Sequence, residues 1–120
     1  MKKIPIVEDV DLNIELLTQL LEDDYELSIA KDGEQGVVMA GKLQPDLIIM
    51  DMSLPVIDGY EATRRIRAIP ELALVPIVAV TSYALSGDEA KTREAGCDGY
   101  IAKPFSPRQL LAKIREFLPE

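Results

Sequence analysis

Four apolar runs in this 120-residue chain each end in a polar group capable of chemistry. Residues 4–7 lead into Glu8 and Asp9, residues 47–50 into Asp51, residues 77–80 into Thr81, and residues 100–102 into Lys103 and Pro104. Short, unbroken apolar runs bounded by turn residues are the pattern of strands buried on both faces of a parallel sheet. In an open parallel sheet, ligands bind just beyond the carboxyl ends of the strands. The order of residues therefore predicts that three carboxylates, one hydroxyl and one ammonium converge on a single sheet edge.

Helical periodicity fills the intervals. Leu12, Leu16, Leu17, Leu20 and Leu21 recur at helical spacing and predict an amphipathic helix over residues 10–22 after a first strand over 3–8. A weaker strand over 25–30 follows, then a helix capped by Asp32 and running to about Gly41. Pro45 and Asp46 lead into the third strand, which ends at Asp51. Ala62, Ile66 and Ile69 mark a helix that stops before Pro70, and Pro76 opens the fourth strand. A helix is expected over residues 84–95, ended by Gly96, and a fifth strand over 99–102. The last helix carries a capping box: Ser106 as N-cap, Pro107 at the first helical position and Gln109 three residues after the cap. Five strand–helix units joined by right-handed crossovers imply an α/β fold, a doubly wound three-layer αβα sandwich on a five-stranded parallel sheet. Pro5 opposes this pattern, because proline cannot donate to a sheet ladder. Either the first strand starts at about Pro5 or one ladder bond is missing there.

Composition narrows the chemistry. The net charge is −8, from 21 acidic and 13 basic residues, which argues against a nucleic-acid partner held on a basic face. The lone cysteine, Cys97, forms no intramolecular disulfide, fits a cytoplasmic protein and reads as a small buried filler. No apolar stretch approaches the length of a membrane span, so no membrane role is expected. There is no histidine, which excludes a Ser-His-Asp or Cys-His site and an imidazole zinc site within the chain. Any metal is held by oxygen, which favours Mg²⁺, Mn²⁺ or Ca²⁺. Any phosphohistidine must come from another molecule. Met50 and Met52 read as packing residues, and Arg64, Arg65 and Arg67 as a solvated helix face.

At the strand ends Glu8, Asp9 and Asp51 contribute −3 and Lys103 contributes +1, leaving −2. A divalent cation cancels that sum and gives a phosphoryl oxygen a ligand. An Asp oxygen can then attack phosphorus in line, while the Thr81 hydroxyl and the Lys103 ammonium hold equatorial oxygens. Together, Val7-Glu8-Asp9, Asp46 to Asp51, Leu54-Pro55 with Asp58-Gly59, Val80-Thr81 and Gly99 to Phe105 closely resemble the receiver domain of two-component response regulators, the family of the chemotaxis protein CheY. The resemblance spans residues 1–120 as one receiver domain, and Ser86-Gly-Asp-Glu with Ala95-Gly-Cys-Asp-Gly looks most like single-domain DivK-type receivers and the receivers of hybrid histidine kinases. It implies a flavodoxin-like sheet of strand order 2-1-3-4-5. It also implies roles: Asp51 as phosphoacceptor; Glu8, Asp9, Asp51 and the Ser53 carbonyl around Mg²⁺, for which Mn²⁺ can substitute; Thr81 and Lys103 on the phosphoryl group; Thr81 and Tyr100 as the switch. A cis Lys103–Pro104 bond belongs to the same pattern. Glu8 departs from it, standing where many relatives have Asp.

The resemblance implies a phosphorelay switch rather than an enzyme on an outside substrate. Its phosphodonor is a histidine kinase or histidine phosphotransfer protein, and its output is a downstream protein target. A pseudo-receiver that only binds partners is the alternative, which the complete acidic set with Thr81 and Lys103 argues against. A haloacid-dehalogenase-type phosphatase needs a second Asp two residues after the nucleophile, where this chain has Ser53. The last predicted helix ends close to Glu120, so a stand-alone receiver is expected in preference to one excised from a hybrid kinase.

Overall fold

The computed structural model describes residues 1–82 and 88–119, apart from the side chain of Asp88. Strands β1 (Lys3–Val7), β2 (Glu26–Ala30), β3 (Ile48–Asp51), β4 (Ile77–Thr81) and β5 (Gly99–Ala102) alternate with helices α1 (Asp11–Leu21), α2 (Gly33–Leu43), α3 (Gly59–Arg67), α4 (Asp88–Ala95) and α5 (Pro107–Phe117). Every ladder is parallel, and the strand order is β2-β1-β3-β4-β5, as the sequence and its resemblance lead one to expect. The order reverses at β1, so the crevice beyond the carboxyl ends of β1 and β3 is the switch point where such sheets bind ligands.

Unbroken apolar runs are needed because both faces of the sheet are covered. Ile4, Ile6, Ile49, Val78 and Val80 pack with Leu17 and Leu21 of α1 and Leu110 and Ile114 of α5. Their neighbours of opposite parity, Val7, Ile48, Met50, Ile77 and Ala79, pack with Ala40 of α2 and Ala62 and Ile66 of α3. Met52 and Cys97 join this second cluster as packing residues, and burial pushes the Cys97 thiol up. Among the described residues no helix is long and apolar enough to cross a membrane.

Pro5 stays inside β1, opposite Ser28 of β2. Backbone groups of a parallel strand alternate between its two neighbours. Lys2 O and Glu8 N bond toward β2, at Glu26 and Ala30, whereas Lys3 O accepts from Asp46 and Leu47 on the β3 side. Pro5 shares the parity of Lys3, so the amide it lacks would have pointed at β3. The β1–β3 pairing accordingly starts only at Ile6, opposite Ile49. Of the two expectations for Pro5, the structure takes the missing bond.

Four local expectations are corrected. Gly41 does not stop α2, which continues to Leu43 and closes on Gln44 in the left-handed region (φ 52°), just before Pro45. The proline, not the glycine, sets the end, because the residue before proline is driven out of the helical region. Ile69 lies outside α3 and opens a 3₁₀ turn over Pro70–Leu72. Leu12 and Leu16 are 65% and 51% exposed, so the buried stripe of α1 is narrower than its leucine spacing indicates. Arg67 is no solvated residue: only 18% of its side chain is exposed, and it is bonded to three carbonyls. Arg64 and Arg65 do lie on the exposed face, paired with Glu61. Residues 84–87 of the expected fourth helix lie outside the described residues; α4 is described from Asp88.

Candidate phosphoacceptor and metal site

Each candidate side chain is delivered by the end of a strand. Glu8 follows β1, and its amide still bonds to Ala30 O at 2.9 Å, so the sheet fixes its backbone. Asp51 is the last residue of β3, opposite Val80, and Met52 N donates to Val80 O at 3.0 Å. Thr81 ends β4 and is buried. Lys103 follows β5, and its amide donates to Thr81 O at 2.7 Å, so a main-chain hydrogen bond joins the two residues that the sequence assigns to one group. The Lys103–Pro104 peptide is cis, as the family pattern implies.

Glycine at 59 is what lets α3 start so close behind the acid. Asp58 caps the helix by accepting from Glu61 N at 2.9 Å, and Gly59 N donates to Met52 O at 3.1 Å. A Cβ on residue 59 would collide with the carbonyl oxygen of Asp51 and lie 2.7 Å from Met52 Cα. Any side chain there would displace the segment that carries Asp51.

Glu8 and Asp51 are 2% and 4% exposed, whereas Asp9 is exposed. One carboxylate oxygen from each of Glu8, Asp9 and Asp51 lies within 4.8 Å of the others. Asp51 Oδ1 accepts from Ser53 N at 3.1 Å, which curls the chain so that residue 53 lies beside the cluster. Glu8 Oε2 accepts from Val10 N at 3.1 Å. Lys103 Nζ is 3.1 Å from Glu8 Oε1 and 3.6 Å from Asp51 Oδ2. The donor set is all oxygen, anionic and only partly neutralised by one ammonium, which suits a hard divalent cation such as Mg²⁺.

The electrostatics agree with that excess of charge. Burial is the largest influence on Asp51 and, with the neighbouring Glu8, raises its carboxyl from 3.8 to about 6 against the opposing effects of the Ser53 amide and Lys103. Without a cation, one proton is retained in the site into the near-neutral range.

Of the sequence-predicted residues, Glu8, Asp9, Asp51, Ser53, Thr81 and Lys103 meet at this edge. Tyr100 lies half-buried in β5, opposite Ala79. Sequence reasoning missed the rim. A cleft of about 530 Å³ runs from Glu8, Asp51 and Lys103 between Leu16 and Leu20 of α1 and Phe105 of the β5–α5 loop. Leu16 in its lining is half-exposed, and Val10 and Leu12 at the start of the same helix are exposed as well. The signal was present as the 12-16-20 leucine row, which runs beside the buried 17-21 row.

The sequence profile of the response regulator receiver domain matches residues 4–115. The chain therefore belongs to the response regulator receiver domain family of two-component signalling. It is 38% identical over 118 residues to the polar-differentiation response regulator DivK of Brucella anthropi, covering 98% of this chain and 96% of that one. Among solved structures it resembles the receiver domain of the sensor histidine kinase PA1611 of Pseudomonas aeruginosa, crystallised with a magnesium ion coordinated in the active-site cleft. The TM-score is 0.92, the identity 38%, and the match covers 99% of this chain and 98% of that one. The chemotaxis protein CheY4 of Vibrio cholerae matches with a TM-score of 0.92 and 28% identity over 98% of each chain.

Proposed function

We propose that the protein is a phosphoacceptor switch of the cytoplasm: Asp51 takes a phosphoryl group from a phosphohistidine on a histidine kinase or histidine phosphotransfer protein, and the product binds a downstream protein target. The observation that carries this reading is the buried Asp51 carboxylate at a strand end, set between Glu8 and Lys103 with the Thr81–Lys103 link beside it. The donor histidine belongs to the partner, because this chain has none. The exposed Leu16 in the cleft lining, with exposed Val10 and Leu12 at the start of α1, suits a protein donor better than a small phosphate ester.

In the transfer, an oxygen of Asp51 bonds to phosphorus as the phosphorus–nitrogen bond of the donor breaks, and that electron pair returns to the imidazole. Lys103 and Thr81 hold equatorial oxygens as charge spreads over them. Asp9, Asp51, the Ser53 carbonyl and the charge of Glu8 would hold a Mg²⁺, which when bound offsets the negative charge shared by carboxylates and phosphoryl oxygens. The protein acts on no outside substrate; it catalyses only its own phosphorylation and dephosphorylation.

The test is incubation with acetyl phosphate followed by intact mass spectrometry. One phosphoryl group is expected with Mg²⁺ or Mn²⁺ and none with a chelator. Modification that proceeds equally without metal, or none in saturating Mg²⁺, refutes the reading; the second outcome would make the chain a pseudo-receiver.

The output follows from the same links. Thr81 pairs with Ala102 across the β4–β5 ladder and accepts the Lys103 amide. A phosphoryl group that pulls on Thr81 and Lys103 therefore moves the end of β4, β5 and the start of α5 together, with Tyr100 as the half-buried side chain that responds. Binding of beryllofluoride should shift NMR signals of α4, β5 and α5 beyond the site itself. Shifts confined to α1 and α2 would rule out that output face.

A further inference from the structure

The outer strip of α2 is charged at its two ends and apolar in the middle. Glu34, Val38 and Lys42 follow one another at four-residue intervals and form one exposed row along the helix. Val38 at its centre is 53% exposed. Among the described residues neither Glu34 nor Lys42 has an ion-pair partner, whereas Lys31, Glu61, Glu89 and Lys113 each have one. The row stands between two depressions. One is at Gly41. Gly33, Gly36, Gly59 and Gly99 lie where a Cβ would press on a neighbour, and Gly96 has a positive φ. Gly41 has neither reason, since a Cβ there would meet only Ile69 Cδ1, at 4.0 Å. Glycine inside a helix is less stable than alanine, and close approach of another backbone is one use for it. The other depression is a shallow cleft of about 650 Å³ between α2 and Val56, with Met39 and Leu43 in its lining. Val56 is 71% exposed and takes φ 73°, a conformation that β-branched residues rarely adopt.

We propose that this face of α2 pairs with the same face of a second copy of the chain. The charge pattern selects that occupant. Reversing the row about Val38 exchanges position 34 with position 42. Two α2 helices crossing antiparallel on a two-fold axis beside Val38 therefore set each Glu34 against Lys42 of the other copy. At a rise of ~1.5 Å per residue, both charges stand ~6 Å from Val38 along the helix, so the two pairs form together. An isologous contact needs such a self-complementary patch. A partner of uniform charge would be attracted at one end of the row and repelled at the other. Rows of this spacing pack into each other's grooves in the commonest helix–helix crossing, and the depressions beside Val38 give the opposing row room. The contact is one helix wide and each copy carries a net charge of −8, so the pairing is weak and concentration-dependent. It does not require Asp51 to be phosphorylated. Helix α2 packs against β1 and β2, at the sheet edge away from β5 and on the face opposite α1. A second copy there leaves open both the cleft beside α1 and the face made by α4, β5 and α5.

The experiment is sedimentation equilibrium on the unphosphorylated protein from micromolar to millimolar concentration. The mean mass of wild type should rise above the 13.3 kDa of one chain as concentration rises. Glu34→Lys and Lys42→Glu should each weaken self-association about tenfold or more, because like charges then face each other at two places. Mixed in equal amounts the two variants should associate again, at least as tightly as wild type, since one presents two ammoniums where the other presents two carboxylates. The mixture also controls for folding, because an unfolded variant could not be rescued by the other. A wild type that stays monomeric at millimolar concentration overturns the proposal. So does self-association that survives both reversals, which would place the contact on another face. A mixture that fails to recover would exclude the antiparallel pairing and overturn it as well.

Discussion

Replacing Asp51 with Asn should abolish phosphorylation by acetyl phosphate and, in metal-free buffer at pH 7.5, make the protein more stable than wild type. The two effects have one cause. Asp51 is buried beside Glu8, and its folded-state carboxyl titrates at about 6 instead of 3.8. Below both values the group is protonated in the folded and unfolded chains and costs nothing. Between them the folded chain holds a proton that the unfolded chain has released, so stability falls as pH rises. Above about 6 the full cost is present, and the displacement from 3.8 corresponds to about 3 kcal/mol. Asparagine keeps an oxygen for the Ser53 amide and removes the charge. Urea unfolding in chelator should show Asp51→Asn ahead by up to about 3 kcal/mol at pH 7.5, with the gap closing as pH falls through 6 toward 4. Saturating Mg²⁺ should then raise the stability of wild type much more than that of the variant, since the ion binds only the folded acidic site. A variant less stable than wild type at pH 7.5 without metal would show that the folded site does not disfavour the charge. A variant that still gains a phosphoryl group at a single site would remove Asp51 as the acceptor.

The parts of this molecule legible in the sequence are those set by local pattern and by strand order. Apolar runs ending in Glu8, Asp51, Thr81 and Lys103 are one-dimensional features, and a parallel sheet maps them onto one edge whatever the details of packing. The Ser106–Gln109 capping box was equally readable, and it is present with both of its hydrogen bonds. What could not be read depends on distances set by the whole fold. Lys103 and Glu8 are 95 positions apart, and only the folded sheet brings the ammonium to 3.1 Å from Glu8 and 3.6 Å from Asp51. Leu12 and Leu16 are the same residue at the same spacing as Leu17 and Leu21, yet among the described elements they stay exposed while Leu17 and Leu21 are buried. Arginine on a charged helix reads as solvated by default. The partners that bury Arg67 are main-chain carbonyls from three other segments, which leave no mark in residue identity.

That arginine should be among the costliest residues in the protein to remove. Its Nε donates to Gly96 O at 2.9 Å, and Nη1 donates to Leu72 O at 3.0 Å and to Val75 O at 2.6 Å. Nη2 donates at 2.6 Å to Asp98 Oδ2, which also accepts from Ile77 N at 3.0 Å. One side chain therefore ties the end of α3 to the 3₁₀ turn, to the turn before β5 and to the start of β4. Gly96 makes room for it, with φ at 116° and no Cβ; a Cβ there would lie 2.9 Å from Arg67 Cγ. The ion pair itself is a minor part, because the Asp98 side chain is 44% exposed and screened by water. The larger loss falls on the Gly96 and Val75 carbonyls, since Leu72 O keeps the Val75 amide at 3.3 Å, and a buried carbonyl left without its donor costs roughly 1–3 kcal/mol. Arg67→Ala should cost about 3 kcal/mol in urea unfolding. Arg67→Lys should recover little of it, since an ammonium cannot reproduce the planar fork that reaches three carbonyls at once. Both variants should keep the wild-type rate of modification by acetyl phosphate where they are folded, because Arg67 contacts the start of β4, at the opposite end of the strand from Thr81. A loss under about 1 kcal/mol for Arg67→Ala, or full recovery by lysine, would mean that water satisfies those carbonyls as well as the guanidinium does.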